Sequence, residues 1–194
     1  MRREFHVRFC ERLGVRLPRA THLVILSRGH AAEALAWTKA VMSKLGLTVN
    51  EAKTSLKDAR QERFDFLGYS FGPHYFGKNG KRYLGASPSK KSIQRFKTKV
   101  GSFLVPANTE PWPDVLARLN SMLQGWSNYF GHGTRRAAYR AIDSYVYERV
   151  RDFLARRHSL AGRGTRRFSC EAVYKMGLLR LERLPLNAPP CALR

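Results

Sequence analysis

Between Phe66 and Thr109 the chain places eight cationic side chains, Lys78, Lys81, Arg82, Lys90, Lys91, Arg95, Lys97 and Lys99, and not one aspartate or glutamate. A charge run is ordinarily a solvated face, but one without compensating carboxylates is better explained by phosphate oxygens that neutralise it. A second cluster lies in residues 134–167. There ten arginines, including Arg135, Arg136, Arg140, Arg156, Arg157, Arg163, Arg166 and Arg167, face only Asp143, Glu148 and Asp152, a local +7. The planar guanidinium suits bidentate phosphate binding and stacking on unpaired bases. Between the clusters, Gln124, Ser127 and Asn128 are interleaved with Trp126, Tyr129 and Phe130. Amides beside aromatics can hold nucleotides, although aromatics at helical spacing also suit a packed core.

Other chemistries lack their residues. No glycine-rich phosphate loop with its lysine and no Gly-x-Ser-x-Gly elbow is present. The six histidines are scattered; only His132, between two glycines, is placed for an RNA contact, and a plain turn residue is the competing reading. Cys10, Cys170 and Cys191 are odd in number and widely spaced, which argues against a disulfide framework and a structural zinc site. No catalytic and no metal-ligating residue is assigned. The formal charge of +22 makes a polyanion the default partner. No apolar run approaches the roughly 20 residues of a spanning helix, and no secretory core follows Met1, so a membrane partner is not expected. Cysteine usage points to a reducing compartment, the bacterial cytoplasm, with an organelle as the alternative given the arginine-rich opening.

The elements that position these residues can be read in outline. Leu23–Leu26 reads as a buried strand and residues 31–45 as a helix with Leu35, Thr38, Val41, Met42 and Leu45 on one face and Gly46 as its cap. With Leu47-Thr48-Val49 as a second strand, this suggests a β-α-β fragment. Phe64, Phe66, Tyr69 and Phe71 suit a sheet, and Asn79-Gly80 between Tyr75-Phe76 and Tyr83-Leu84 signals a hairpin. Ser89 is a plausible cap for a helix with Ile93, Phe96, Val100, Phe103 and Leu104 on its apolar stripe. A central helix carries Val115, Leu116, Leu119, Met122, Leu123, Trp126 and Phe130 on one face, with Pro113 in its first turn. Gly125 inside that helix should cost about 1 kcal/mol against alanine, which predicts close packing at that point. Thr134 is expected to cap a third long helix, lined by Tyr139, Ile142, Val146, Val150, Phe153 and Leu154. Residues 158–167 are expected to form a mobile loop that orders on RNA, and Ser169 to cap a short helix ended by Gly177. The fold class is α+β, with a helical bundle in the second half.

The run Leu119-Asn120-Ser121-Met122-Leu123-Gln124-Gly125-Trp126-Ser127-Asn128-Tyr129-Phe130 closely resembles the signature of the maturase-specific domain, also called thumb or X domain, of group II intron-encoded reverse transcriptases. Gln124 stands where that family usually has a basic residue. Upstream, Leu45-Gly46-Leu47-Thr48-Val49-Asn50-Glu51-Ala52-Lys53-Thr54 and Phe64–Phe71 resemble the end of a reverse-transcriptase palm. The resemblance implies that Lys53 lies near the incoming triphosphate, and that Phe66, Leu67, Gly68 and Tyr69 form a primer-grip-like segment. It covers roughly residues 19–185 and implies three parts: residues 1–18, unassigned; 19–88, a truncated palm remnant; and 89–194, the maturase-specific domain with a frayed tail.

The family also carries Tyr-Ala-Asp-Asp just before the strand that corresponds to Leu23–Leu26, where paired carboxylates hold two Mg²⁺ for nucleotidyl transfer. This chain has Arg19-Ala20-Thr21-His22 there and no Asp-Asp pair anywhere. Residues 1–22 therefore read as a new start on a truncated protein that does not polymerise alone. The resemblance implies an RNA-binding maturase fragment whose partner is group II intron RNA or another structured RNA, and whose role is to assist splicing. The RNA-contact candidates are the cations named above except Lys99, together with Lys53, Trp126, Asn128 and Tyr129. A second reading makes the chain a subunit of a split RNA-directed DNA polymerase, completed by a fingers and palm chain that docks at the strand edge near Leu23–Leu26. Only such a partner would bring Mg²⁺. A third reading is an inactive remnant.

Overall fold

The computed structural model describes residues 3–8, 22–27, 29–77, 79–160 and 162–184. The expectations placed on Lys78, on Arg19-Ala20-Thr21 and on the 185–194 tail lie outside the described residues. Six strands and five α-helices among the described residues make an α+β protein. It divides into two compact units, Met1–Gly85 and Ala86–Arg194.

The first unit contains β1 (Arg3–Arg8), β2 (His22–Ser27), α1 (Ala31–Lys44), β3 (Ser55–Lys57), β4 (Phe64–Phe66), β5 (Tyr69–Tyr75) and the start of β6 (Arg82–Pro88). The expected β-α-β fragment is not what forms. β1 lies between β2 and β3 and is antiparallel to both, with Phe5 opposite Ile25 on one side and Leu56 on the other. Within the expected strand 47–49, only Val49 makes an isolated bridge. The alternation of Phe5 and Val7 with polar neighbours is the sequence signal for β1, a period of two rather than the continuous apolar run of a parallel strand.

Helix α1 does end as its sequence indicates. Gly46 adopts φ +70°, its N–H donates to Ser43 O at 3.0 Å and the Leu47 N–H donates to Met42 O at 2.9 Å, the two bonds of a Schellman cap. Its apolar face packs thinly, because only Ala31 and Thr38 are buried while Leu45 stays exposed. Leu26 is likewise exposed, so the predicted buried strand covers one face only. The second sheet, β4-β5-β6, is firmer, with Phe64 directly opposite Phe71 and their rings stacked 5.4 Å apart. The Asn79-Gly80 hairpin forms: Gly80 takes φ +64° and donates to Phe76 O at 2.8 Å, while the Phe76 N–H donates to Lys81 O.

The second unit is a helical bundle of α2 (Lys90–Phe103), α3 (Trp112–Tyr129), α4 (Arg136–Arg157) and the short α5 (Cys170–Lys175). Its core joins Phe96, Val100 and Leu104 of the α2 segment to Val115, Leu119 and Leu123 of α3, and to Tyr139, Ile142, Val146, Val150, Phe153 and Leu154 of α4. Each fully buried aliphatic side chain contributes about 1.5–3 kcal/mol through removal from water. The Ser89 and Ser169 side chains accept N–H bonds from Ser92 and Ala172, so both predicted caps form.

Arg135 occupies the position directly before α4, one residue after the expected Thr134, and Thr134 donates its backbone N–H to Ala86 O at 2.7 Å. The α3–α4 turn thus presses against the chain just before α2. A Cβ on Gly133, which has φ +72°, would lie 2.3 Å from the same Ala86 oxygen, so only glycine fits there.

Two side chains lash the C-terminal segment to the bundle. Asn120 donates to Gly177 O and accepts from the Leu179 N–H, both at 2.8 Å. The buried Asp143 carboxylate accepts from the N–H groups of Leu181 and Glu182 at 2.9 and 3.0 Å. Burial pushes the Asp143 carboxyl above its ordinary value despite those two donors. Among the described residues no helix is long and apolar enough to cross a membrane.

Candidate nucleic-acid interface

Helix α2 starts immediately after Pro88 because Ser89 caps it, and this places Lys90 and Lys91 in the first turn, with Arg95 and Lys99 one and two turns further on. No acidic residue occupies that first turn. Cations there work against the helix dipole, at roughly 0.3–1 kcal/mol each, so the arrangement disfavours the isolated helix and favours an external anion. Lys90, Lys91, Arg95 and Lys99 are exposed, and none has an ion-pair partner among the described residues. Lys97 differs: it is half-buried, with its Nζ 5.2 Å from the Tyr145 ring, and the Arg149 guanidinium is at the same distance from that ring.

The arginine cluster separates into two kinds. Arg135, expected at the RNA, is buried; it donates to Gly131 O at 2.8 Å and lies 5.0 Å from the Tyr139 ring, so it fastens the α3–α4 turn and cannot reach a phosphate. Arg157 is half-buried over Phe153 and donates to the carbonyls of Asn108 and Glu110, which commits its head to the α2–α3 connection. Arg140 is exposed but paired with Glu182 at 3.0 Å, and Arg140 and Arg180 hold the Glu182 carboxyl below its usual range. Arg136, Arg156, Arg163, Arg166 and Arg167 are exposed. Arg156 and Arg163 meet at a polar recess of about 530 Å³ that also contains Glu148 and Asp152. The 158–167 segment is hydrogen-bonded to its surroundings, through Leu160 N to Ala155 O and Phe168 N to Gly164 O, with buried Phe168 beneath it.

On α3 the candidates Trp126 and Asn128 do not share a face, because two residues at about 100° each separate them by nearly half a turn. Trp126 is half-buried, with Phe130, Phe96 and Tyr139 at centroid distances of 4.6, 5.4 and 5.8 Å. Asn128 is exposed and accepts from Gln124 Nε2 at 2.8 Å. Tyr129 is exposed with its ring edge-on to Phe130. The core reading therefore holds for Phe130 and for much of Trp126. Part of Trp126 faces a groove of about 540 Å³ between α2 and α3, lined by Ser92, Arg95, Phe96, Lys99, Ser121, Met122, Gly125, Trp126 and Phe130. The close packing expected at Gly125 is absent: a Cβ there would meet no neighbouring atom within 4 Å. Lys99 and Gly125 were not among the sequence candidates. The signal in the sequence is the helix-interior glycine, which by itself reads as close packing, together with two cations at i, i+4 spacing on α2.

In the first unit Lys53 closes a 3₁₀ turn, Glu51–Lys53, whose N-cap Asn50 accepts from the Lys53 N–H. Lys81 and Arg82 are exposed beside the β5–β6 turn. Phe66 and Tyr69 pair across a two-residue hairpin whose turn residues Leu67 and Gly68 have φ +48° and +81°. Leucine rarely adopts that conformation, and Leu67 is also exposed at the tip.

No match was found among curated proteins. Residues 93–169 match a protein-family model described as "Group II intron, maturase-specific domain". That span runs from the second turn of α2 through α3 and α4 to the cap of α5, and it contains the twelve-residue signature, both rims of the groove and most of the exposed arginines. Over residues 93–169, therefore, this chain is similar to the maturase-specific domain of group II introns.

Proposed function

We propose that the second unit binds folded group II intron RNA and assists its splicing, with the RNA supplying the splicing chemistry. The observation that carries this reading is the row of exposed cations on α2, Lys90, Lys91, Arg95 and Lys99, without ion-pair partners among the described residues, at the head of the segment that matches the maturase-specific domain. Arg136, Arg156, Arg163, Arg166 and Arg167 extend the basic surface, whereas Arg135 and Arg157 serve the fold. Phosphate contacts fix the protein on the RNA, and stacking and shape supply selectivity.

Residues 19–88 are read as a palm remnant, supported by the exposed, left-handed Leu67 at a primer-grip-like tip. The residues present do not fit the Mg²⁺ pair of a polymerase. Among the described residues no three of His, Cys, Asp and Glu come together, and the Arg19-Ala20-Thr21-His22 segment offers no carboxylate. A partner chain that supplies the carboxylates is a second reading. It is favoured by apolar surface on the first unit, where Leu26, Trp37, Leu45 and Leu56 are exposed.

The test is splicing of a group II intron at a magnesium concentration too low for the RNA to react alone. Adding the chain raises the spliced fraction, and the chain with Lys90, Lys91, Arg95 and Lys99 replaced by glutamine does not. Saturating binding with no gain in splicing would contradict the assisting role.

A further inference from the structure

The α2–α3 groove is not explained by core packing. On α2, Ser92, Arg95, Phe96 and Lys99 recur at three- and four-residue spacing, and on α3 Ser121, Met122, Gly125 and Trp126 do the same, so each helix turns one stripe toward a shared trough. Two serines and a glycine are too small to close it. Its floor is aromatic, with the Phe96 and Trp126 rings 5.4 Å apart and Trp126 4.6 Å from Phe130. Its rim carries two cations without ion-pair partners among the described residues, and no carboxylate lines it. An aliphatic segment would need neither cation, and a bare phosphate would not need the aromatic floor. A planar base tied to a phosphate uses both. Gly125 sharpens the point, because a larger residue would improve the helix and meet no neighbour, yet it would fill the trough.

We propose that this groove receives one unpaired nucleobase of the bound RNA, stacked against Trp126, with Arg95 and Lys99 on its phosphate. The inference rests on the RNA-binding reading above and narrows it to a bulged or single-stranded nucleotide at this place. One base–aromatic stack changes affinity by about ten- to a hundredfold.

The test uses the full chain with two short RNA duplexes that differ only in a single bulged fluorescent adenine analogue. The bulged duplex is expected to bind about tenfold or more tightly than the plain one, with the analogue quenched by stacking. Gly125→Leu fills the groove from α3 and removes both the preference and the quenching, while affinity for the plain duplex stays the same. Ser121→Leu blocks the same stripe one turn away and gives the same result if the first variant is impaired in folding. If the wild-type chain binds both duplexes equally, or both variants keep the preference and the quenching, the groove assignment is overturned and the RNA-binding reading survives. If the chain binds neither duplex, the RNA-binding reading fails and the groove assignment falls with it.

Discussion

Replacing Lys90, Lys91, Arg95 and Lys99 together by glutamine lowers affinity for folded intron RNA by about two orders of magnitude near physiological salt, and it flattens the salt dependence. Each cation that meets a phosphate releases about one condensed counterion, so the slope of log K against log salt falls by about three to four in magnitude when all four are lost. The four side chains suit this experiment because they are exposed and support no core contact, so the variant should fold normally. Neutralising Lys175, already paired with Glu171 at 2.8 Å, is the matched control and should move the slope far less. A variant that binds as the parent does, with an unchanged slope, would show that α2 is not the phosphate-facing surface.

Replacing Asp143 by alanine destabilises the second unit by about 3 kcal/mol, because two backbone N–H groups, those of Leu181 and Glu182, lose a charged acceptor and the C-terminal segment loses its hold on α4. The effect has a pH signature. Burial raises the Asp143 carboxyl above its ordinary value of 3.8, outweighing the N–H donors that lower it. A carboxyl raised in the folded state gives its full contribution below the unfolded value and loses it as pH rises through the folded value. Thermal or denaturant unfolding measured upward from about pH 4 should therefore show the parent losing stability, and Asp143→Asn should lack that decline while keeping one acceptor. An Asp143→Ala variant as stable as the parent would mean that the clasp is idle. Tyr174, pushed up to about 12 mainly by burial and then by Asp143, stays neutral throughout this range and does not blur the result.

Local signals were legible and long-range ones were not. The stripes of α2, α3 and α4, the Ser89 and Ser169 caps, the Gly46 terminus and the Asn79-Gly80 hairpin are written in residues within a few positions of one another, and each forms. The placement of β1 between β2 and β3 depends on partners about twenty and fifty residues away, which no window of periodicity can see.

The site was readable as chemistry but not as geometry. Arg135 and Arg136 are adjacent and alike in sequence, yet the turn before α4 points one at the Gly131 carbonyl and leaves the other exposed. Arg157 looks like a helix-end cation until the α2–α3 connection arrives beneath it. Asn120 shows what one residue of the signature does, since it ties α3 to the 177–179 segment, and the end of the signature is held from α4, where the Tyr139 hydroxyl donates to the carbonyls of Ser127 and Phe130. Gly125 reverses an expectation, since a helix-interior glycine usually marks close approach and here it leaves open space.

Recognition of folded intron RNA beyond attraction of charge is tested by a salt-titrated competition between a folded group II intron and an unstructured RNA of equal length. The folded intron is expected to be preferred, and the preference to persist as salt rises, because stacking and shape contacts are not screened as phosphate contacts are. Equal binding of the two RNAs, released together along one salt curve, would contradict it.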